Sequence, residues 1–201
     1  MKTASIAVLG LVLSVGMIGS TLFGQPASAE TKDNRLPVVL DGTKVSPNSP
    51  KVDKAKIFVE DDKAQKQGVV FGFSSKAKAE KYLKEGVSPI QKETSLPISP
   101  QQGKPSPTAT SSYFFEHAGF GGSWFSIQLG YASSYLGSYW NDRISSLSAA
   151  SGGNWTILYE HSNYRGKQYW LKSGYSRSNL VDVPDGSGGN WNDKASSIYV
   201  Y

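Results

Sequence analysis

The chain has 201 residues, with 21 Lys and Arg against 16 Asp and Glu for a formal net charge of +5, and it contains no cysteine. The missing thiol excludes disulfides, cysteine–zinc sites and thiol catalysis. The basic excess lies in residues 30–112, where lysines alternate with acids (Lys51, Asp53, Lys54, Lys56, Glu60, Asp61, Asp62, Lys63), a solvated surface and not the one-sided basic face that nucleic acid requires.

Residues 1–29 read as a bacterial-type export signal. Lys2 supplies the positive start, Ile6 to Gly19 the apolar run, and Ala27-Ser28-Ala29 the small-residue cleavage site. The run is too short and too Gly-rich to remain as a membrane span, so the expected product is a secreted, extracellular chain with no membrane association. Residues 30–50 are polar, contain Pro37, Pro47 and Pro50, and read as a flexible leader. Residues 51–87 read as a small α+β segment: a strand over 55–59, a polar turn over 60–67, a strand over 68–73, and a helix from Ser74 or Ser75 through Glu85, stopped by Gly86. The helix carries its apolar stripe at Ala79, Tyr82 and Leu83. So small a unit needs something to dock on. Residues 88–112, with five prolines among Ser, Thr and Gln, read as an extended linker.

Residues 113–201 hold all five tryptophans and ten of the eleven tyrosines. Short strand-like runs recur at 113–116, 123–128, 143–149, 156–160, 167–171 and 194–200, separated by Gly, Asn and Ser clusters. The segment also repeats. Glu116-His117 matches Glu160-His161, Phe120-Gly121-Gly122 matches Tyr164-Arg165-Gly166, and Leu136 matches Leu180, all offset by 44. The hexapeptides Asn141-Asp142-Arg143-Ile144-Ser145-Ser146 and Asn192-Asp193-Lys194-Ala195-Ser196-Ser197, each preceded by a tryptophan, are offset by 51, which places seven extra residues near the Gly-rich run 185–189. Internal duplication of short strands predicts an all-β sandwich of two Greek keys, preceded by the strand-strand-helix segment and the Pro-rich linker. An amide, a carboxylate and two hydroxyls per hexapeptide are hard oxygen donors that suit Ca²⁺, although Asn, Asp and Ser also build plain turns.

Residues 113–201 resemble a βγ-crystallin domain of the microbial, calcium-binding kind. The Greek-key signature of that family, two spaced aromatics followed one residue later by Gly, reads Phe115 to Gly122 and again Tyr159 to Gly166. The family's Asn/Asp-Asn/Asp-x-x-Ser/Thr-Ser motif matches both hexapeptides at every fixed position. The resemblance implies two Ca²⁺ sites shared between the motifs. Asp142 and Asp193 would supply carboxylates, Arg143 and Lys194 backbone carbonyls, and Glu116 and Glu160 carbonyls from the hairpins. Ser145 and Ser196 would each supply a hydroxyl to the ion centred on the other copy. Ser146 and Ser197 would brace the turn.

His117 and His161 read as surface or hairpin packing, and Trp140 and Trp191 as core, with Trp124, Trp155 and Trp170 left open as a carbohydrate platform. Catalysis is not expected: no Gly-x-Ser-x-Gly elbow, phosphate loop or HExxH occurs. The expected protein is a monomeric, secreted calcium-binding structural module acting with a cell-surface component. The alternative is an inhibitor of a secreted metalloprotease on the same fold, with the inserted loop 183–190 as its binding element.

Overall fold

The computed structural model describes residues 33–84, 92–93, 98–103, 105 and 108–201; the export-signal reading falls outside them. Residues 34–201 form one compact unit.

The segment expected to be a flexible leader folds. β1 (Val38–Leu40) and β2 (Thr43–Val45) make a hairpin around Asp41-Gly42, both with positive φ. Val38 is fully buried, which is what anchors a segment otherwise rich in polar residues and prolines. A 3₁₀ turn over Pro50–Lys54 leads to β3 (Ile57–Glu60). The expected polar turn after β3 is instead a helix, α1 (Asp62–Gln67), because Asp61 accepts a bond from Ala64 N at its start and Gly68 takes the left-handed conformation at its end. β4 (Val70–Phe73) follows, then α2 (Lys76–Leu83), capped by Ser75 and ended by Lys84 with φ 58°. The proposed stop at Glu85-Gly86 lies outside the described residues.

Two described pieces of the expected linker are pinned to sheet edges. β5 (Lys92–Glu93) pairs with a later strand, and Gln101 exchanges both backbone bonds with Trp124. An extended chain has free N–H and C=O groups, and an open sheet edge satisfies them.

The repeat region begins at Ser111. Its strands are β6 (Ser111–His117), β7 (Gly121–Gln128), β8 (Tyr131–Ser133), β9 (Ser146–Ser148), β10 (Trp155–His161), β11 (Arg165–Lys172), β12 (Ser176–Arg177) and β13 (Ser197–Val200), with a short helix α3 (Gly137–Trp140) before the first hexapeptide. One sheet runs β12-β9-β6-β7. The other runs β11-β10-β13-β8, so each sheet takes its last strand from the opposite repeat, and the two enclose an aromatic core. Trp140 lies 4.6 Å from Phe125 and Trp191 5.9 Å from Tyr169 between ring centroids, in repeat-equivalent places. The expected two-key sandwich is what forms.

The small N-terminal unit docks by extending a sheet. β3 pairs in parallel with the edge strand β11, from Ile57 opposite Gln168 to Glu60 opposite Leu171. The result is a nine-stranded sheet, β2-β1-β4-β3-β11-β10-β13-β8-β5. A second core then forms on the outer face of this sheet, where Ala79 is buried and Tyr82 packs 5.0 Å from Phe71 and 5.1 Å from Phe73. That is why β10 and β13 are apolar on both faces, whereas β7 alternates buried Ser123, Phe125 and Ile127 with more exposed neighbours. Trp155 and Trp170 are buried in this second core, which removes them from any aromatic platform. The joint also buries a charge: Glu60, 1% exposed, pairs with Arg177 and accepts the Tyr169 hydroxyl. No helix among the described residues is long and apolar enough to cross a membrane.

Candidate metal centre

The two hexapeptides lie against each other, and reciprocal backbone bonds fix their register. Asp142 N donates to Ala195 O at 3.1 Å, and Asp193 N donates to Ile144 O at 3.0 Å. Ile144 and Ala195 are fully buried beneath them. Each motif also hangs from its own hairpin, Ser145 N on Phe115 O and Ser196 N on Tyr159 O. An approximate twofold relates the two halves.

Asp142 and Asp193 take left-handed backbone conformations, φ 55° and 52°. Asp and Asn tolerate that region better than other side-chain-bearing residues, which is a local reason for their type at the second motif position. The residues before them, Asn141 and Asn192, each donate a side-chain N–H to the neighbouring carboxylate at 2.7 Å. This orienting role of the first motif position is not part of the ligand set that the sequence suggests.

Oxygen atoms converge crosswise. Ser145 Oγ lies 2.8 Å from Glu116 O and 3.2 Å from Asp193 Oδ1, and Ser196 Oγ lies 2.9 Å from Glu160 O and 3.4 Å from Asp142 Oδ1. Each cluster holds one carbonyl, one hydroxyl and one carboxylate, and each joins the two repeats. The glutamate side chains are engaged elsewhere, which leaves their carbonyls as the candidate donors. Glu116 accepts bonds from Ser123 N, Tyr139 and Arg143, and Glu160 accepts from Lys167 N. Burial raises the Glu116 pKa, but the bonds from Arg143, Ser123 and Tyr139 outweigh it and hold the carboxyl below its usual range.

The sixth-position serines have a separate task. Ser146 Oγ donates to His117 O at 2.6 Å and accepts from Phe120 N at 3.1 Å; Ser197 Oγ does the same with His161 O and Tyr164 N at 2.6 and 3.1 Å. Phe120 and Tyr164 have φ of 62° and 57°, an uncommon state for aromatic residues. The serine thus secures the strained hairpin that carries the Greek-key signature. Gly122 and Gly166 close each hairpin with φ of 76° and 80°, and a Cβ there would come within 2.8 Å and 2.9 Å of the His117 and His161 rings. The histidines are hairpin packing, and among the described residues no three His, Cys, Asp or Glu side chains cluster as metal ligands.

The basic residues at the third position do not simply face solvent. Arg143 pairs with Glu116 at 3.1 Å and stacks over Tyr139 at 4.7 Å. Lys194 pairs with Asp185 at 2.6 Å, and Asp185 is 1% exposed inside the inserted loop. Residues 183–186 are buried, so this insertion is packed into the molecule and its first half is not the exposed loop that an inhibitory role would use. Asp185 escaped notice in the sequence because Asp-Gly-Ser-Gly-Gly reads as an ordinary turn.

A family model described as Beta/Gamma crystallin matches residues 112–180, ending before the insertion and the second hexapeptide. Among solved structures, the chain is similar to a βγ-crystallin domain from Clostridium beijerinckii, at 30% identity over 45% of this chain and 97% of that one, with a TM-score of 0.30. It is also similar to a βγ-crystallin from an archaeon, at 26% identity over 47% and 100% of the two chains with a TM-score of 0.37, and to one from Ciona intestinalis, at 24% over 45% and 99% with a TM-score of 0.36. No curated protein matches the chain.

Proposed function

From the premise that the chain belongs, through its C-terminal domain, to the beta/gamma crystallin family, we propose that it is a secreted, non-enzymatic structural module stabilised by two calcium ions. The observation that carries this reading is the crosswise meeting of oxygens, Ser145 with Glu116 O and Asp193, and Ser196 with Glu160 O and Asp142. A plain turn has no need to bring a hydroxyl of one repeat to a carboxylate of the other. A hard divalent cation takes six to eight oxygens of this kind, with water completing the shell.

The residues divide the work. Asp193, Ser145, Glu116 O and the Lys194 carbonyl would hold one ion, and Asp142, Ser196, Glu160 O and the Arg143 carbonyl the other. Asn141 and Asn192 steady the carboxylates. A bound ion would neutralise the one formal negative charge in each cluster and tie the repeats together. One carboxylate per site implies weak binding, with a Kd of roughly 10⁻⁵–10⁻³ M. That range suits an extracellular setting, in keeping with the export signal read in residues 1–29. The chain acts as a monomer alongside a cell-surface component.

Calorimetric titration with Ca²⁺ after chelator treatment tests the reading. The expected result is two ions per chain, accompanied by a change in tryptophan emission, since Trp140 and Trp191 adjoin the hexapeptides and are fully buried. No heat and no spectral change at millimolar calcium would refute it.

A further inference from the structure

The two candidate sites differ in what stands behind them. At one, Arg143 pairs inside the first hairpin, with Glu116. At the other, Lys194 reaches into the insertion. Its ammonium meets Asp185 Oδ2 at 2.6 Å, and the same carboxylate accepts bonds from Ser187 N at 2.7 Å, Ser187 Oγ at 2.8 Å and Gly189 N at 3.1 Å. Burial raises the Asp185 pKa, but Lys194 and Ser187 outweigh it, so the group stays charged. The loop closes through Pro184 bridged to Asn190 and through Trp191 N bonded to Val183 O at 2.9 Å, immediately before the hexapeptide.

The far side of this loop is the seat of the N-terminal segment. Gly186, with φ 74°, lies so close that a Cβ would stand 2.6 Å from Val52 O and 3.1 Å from the Phe58 ring. Arg35 Nη1 donates to Gly188 O and Gly189 O, both at 2.7 Å, and Leu36 N donates to Asp182 O at 2.7 Å. One short loop therefore touches a residue whose carbonyl is a candidate ligand and also the segment that caps the sheet.

We propose that Asp185 is a positioning residue for the Asp193-centred site, and that through it calcium at that site and docking of residues 35–60 stabilise each other. The proposal rests on the calcium reading above. Asp185 holds the Lys194 side chain, which restrains the peptide whose carbonyl faces the ion. Outer partners of this sort change metal affinity by roughly 10–100-fold when removed. Linkage requires the effect to run both ways with one coupling factor. Among the described residues Arg143 makes no such connection, and the Asp142-centred site is expected to be independent of the docked segment.

The test uses the full chain, with calcium titrations and hydrogen exchange of residues 35–60 in chelator and in calcium. In the parent, calcium is expected to raise protection across 35–60. Asp185→Asn is expected to weaken the Asp193-centred site roughly tenfold or more and abolish the response, leaving the other site unchanged. Lys194→Met retains the backbone carbonyl and the loop's own bonds, and is expected to behave alike even if Asp185→Asn folds poorly. Arg35→Ala, which is on none of the ligand residues, is expected to weaken the same site. Two calcium ions bound with unchanged protection of 35–60 would overturn the coupling while leaving the calcium reading intact, as would Lys194→Met with parental affinity at both sites. No calcium binding by the parent would overturn both.

Discussion

Adjacent serines in one hexapeptide are expected to differ in their dependence on calcium. Ser146→Ala strands a buried hairpin, because Ser146 is fully buried and serves both His117 O and Phe120 N. Leaving buried polar groups unpaired costs about 1–3 kcal/mol, and this loss is the same with or without metal. Ser145→Ala removes one hydroxyl, whose proton is shared between Glu116 O and Asp193 Oδ1, about 1 kcal/mol in chelator. In calcium it also loses a ligand. Binding stabilises the native state by RT ln(1 + [Ca²⁺]/Kd), about 2.7 kcal/mol at a hundredfold excess over Kd. Emptying that one site in millimolar calcium would therefore add a calcium-dependent loss of about 0.4 kcal/mol at a Kd of ~10⁻³ M, rising to about 2.7 kcal/mol, or about 5–10 °C in Tm for a chain of this size, at ~10⁻⁵ M. Thermal melts followed by tryptophan emission, run in chelator and in millimolar calcium, separate the two serines. Equal losses for Ser145→Ala under both conditions would assign it to bracing and refute its place in the metal site. The same pair of outcomes applies to Ser196 and Ser197.

Arg177→Met leaves Glu60 charged and buried at the joint between β3 and β11, and is expected to cost about 3–5 kcal/mol, measured by urea unfolding. Asp185 has a depressed pKa, so its contribution is present above the ordinary carboxylate value of 3.8 and is lost as pH falls through the lower folded value. Asp185→Asn is accordingly expected to flatten the acid limb of stability below pH 3.8 in a pH-dependent melt, relative to the parent. Residues 108–201 prepared without the N-terminal segment would expose the β11 edge and the face carrying Trp155 and Trp170, and are expected to self-associate in sedimentation, where the full chain does not.

Much of the repeat domain was legible because its determinants are local. Glycines and Asn at left-handed positions, alternating apolar strands and the offset of 44 all act within a few residues or recur visibly. The hexapeptide chemistry was legible for the same reason: donor types at fixed spacing are a sequence property. The resemblance gave Ser145 and Ser146 different tasks, and in the structure the two hydroxyls meet different partners, Glu116 O and Asp193 for Ser145 and His117 O and Phe120 N for Ser146. What was missed lay in segments whose composition looks solvated. Val52 is a single apolar residue between Lys51 and Asp53, and Val38 belongs to a short apolar run in an otherwise polar, Pro-containing leader, yet each is buried. Glu60 read as part of a hydrated acidic run because nothing nearby in sequence reveals Arg177.

By itself, then, the sequence determined the duplicated all-β domain, its hairpins and the oxygen-bearing residue types of its two motifs, since backbone sterics and side-chain chemistry operate over short range. Tertiary structure alone decided that the N-terminal segment continues the crystallin sheet, that a second core covers its outer face, and that the insertion is a seat and not a free loop. Those outcomes depend on which strand edge and which buried charge meet across more than a hundred residues, and no local propensity encodes such a meeting.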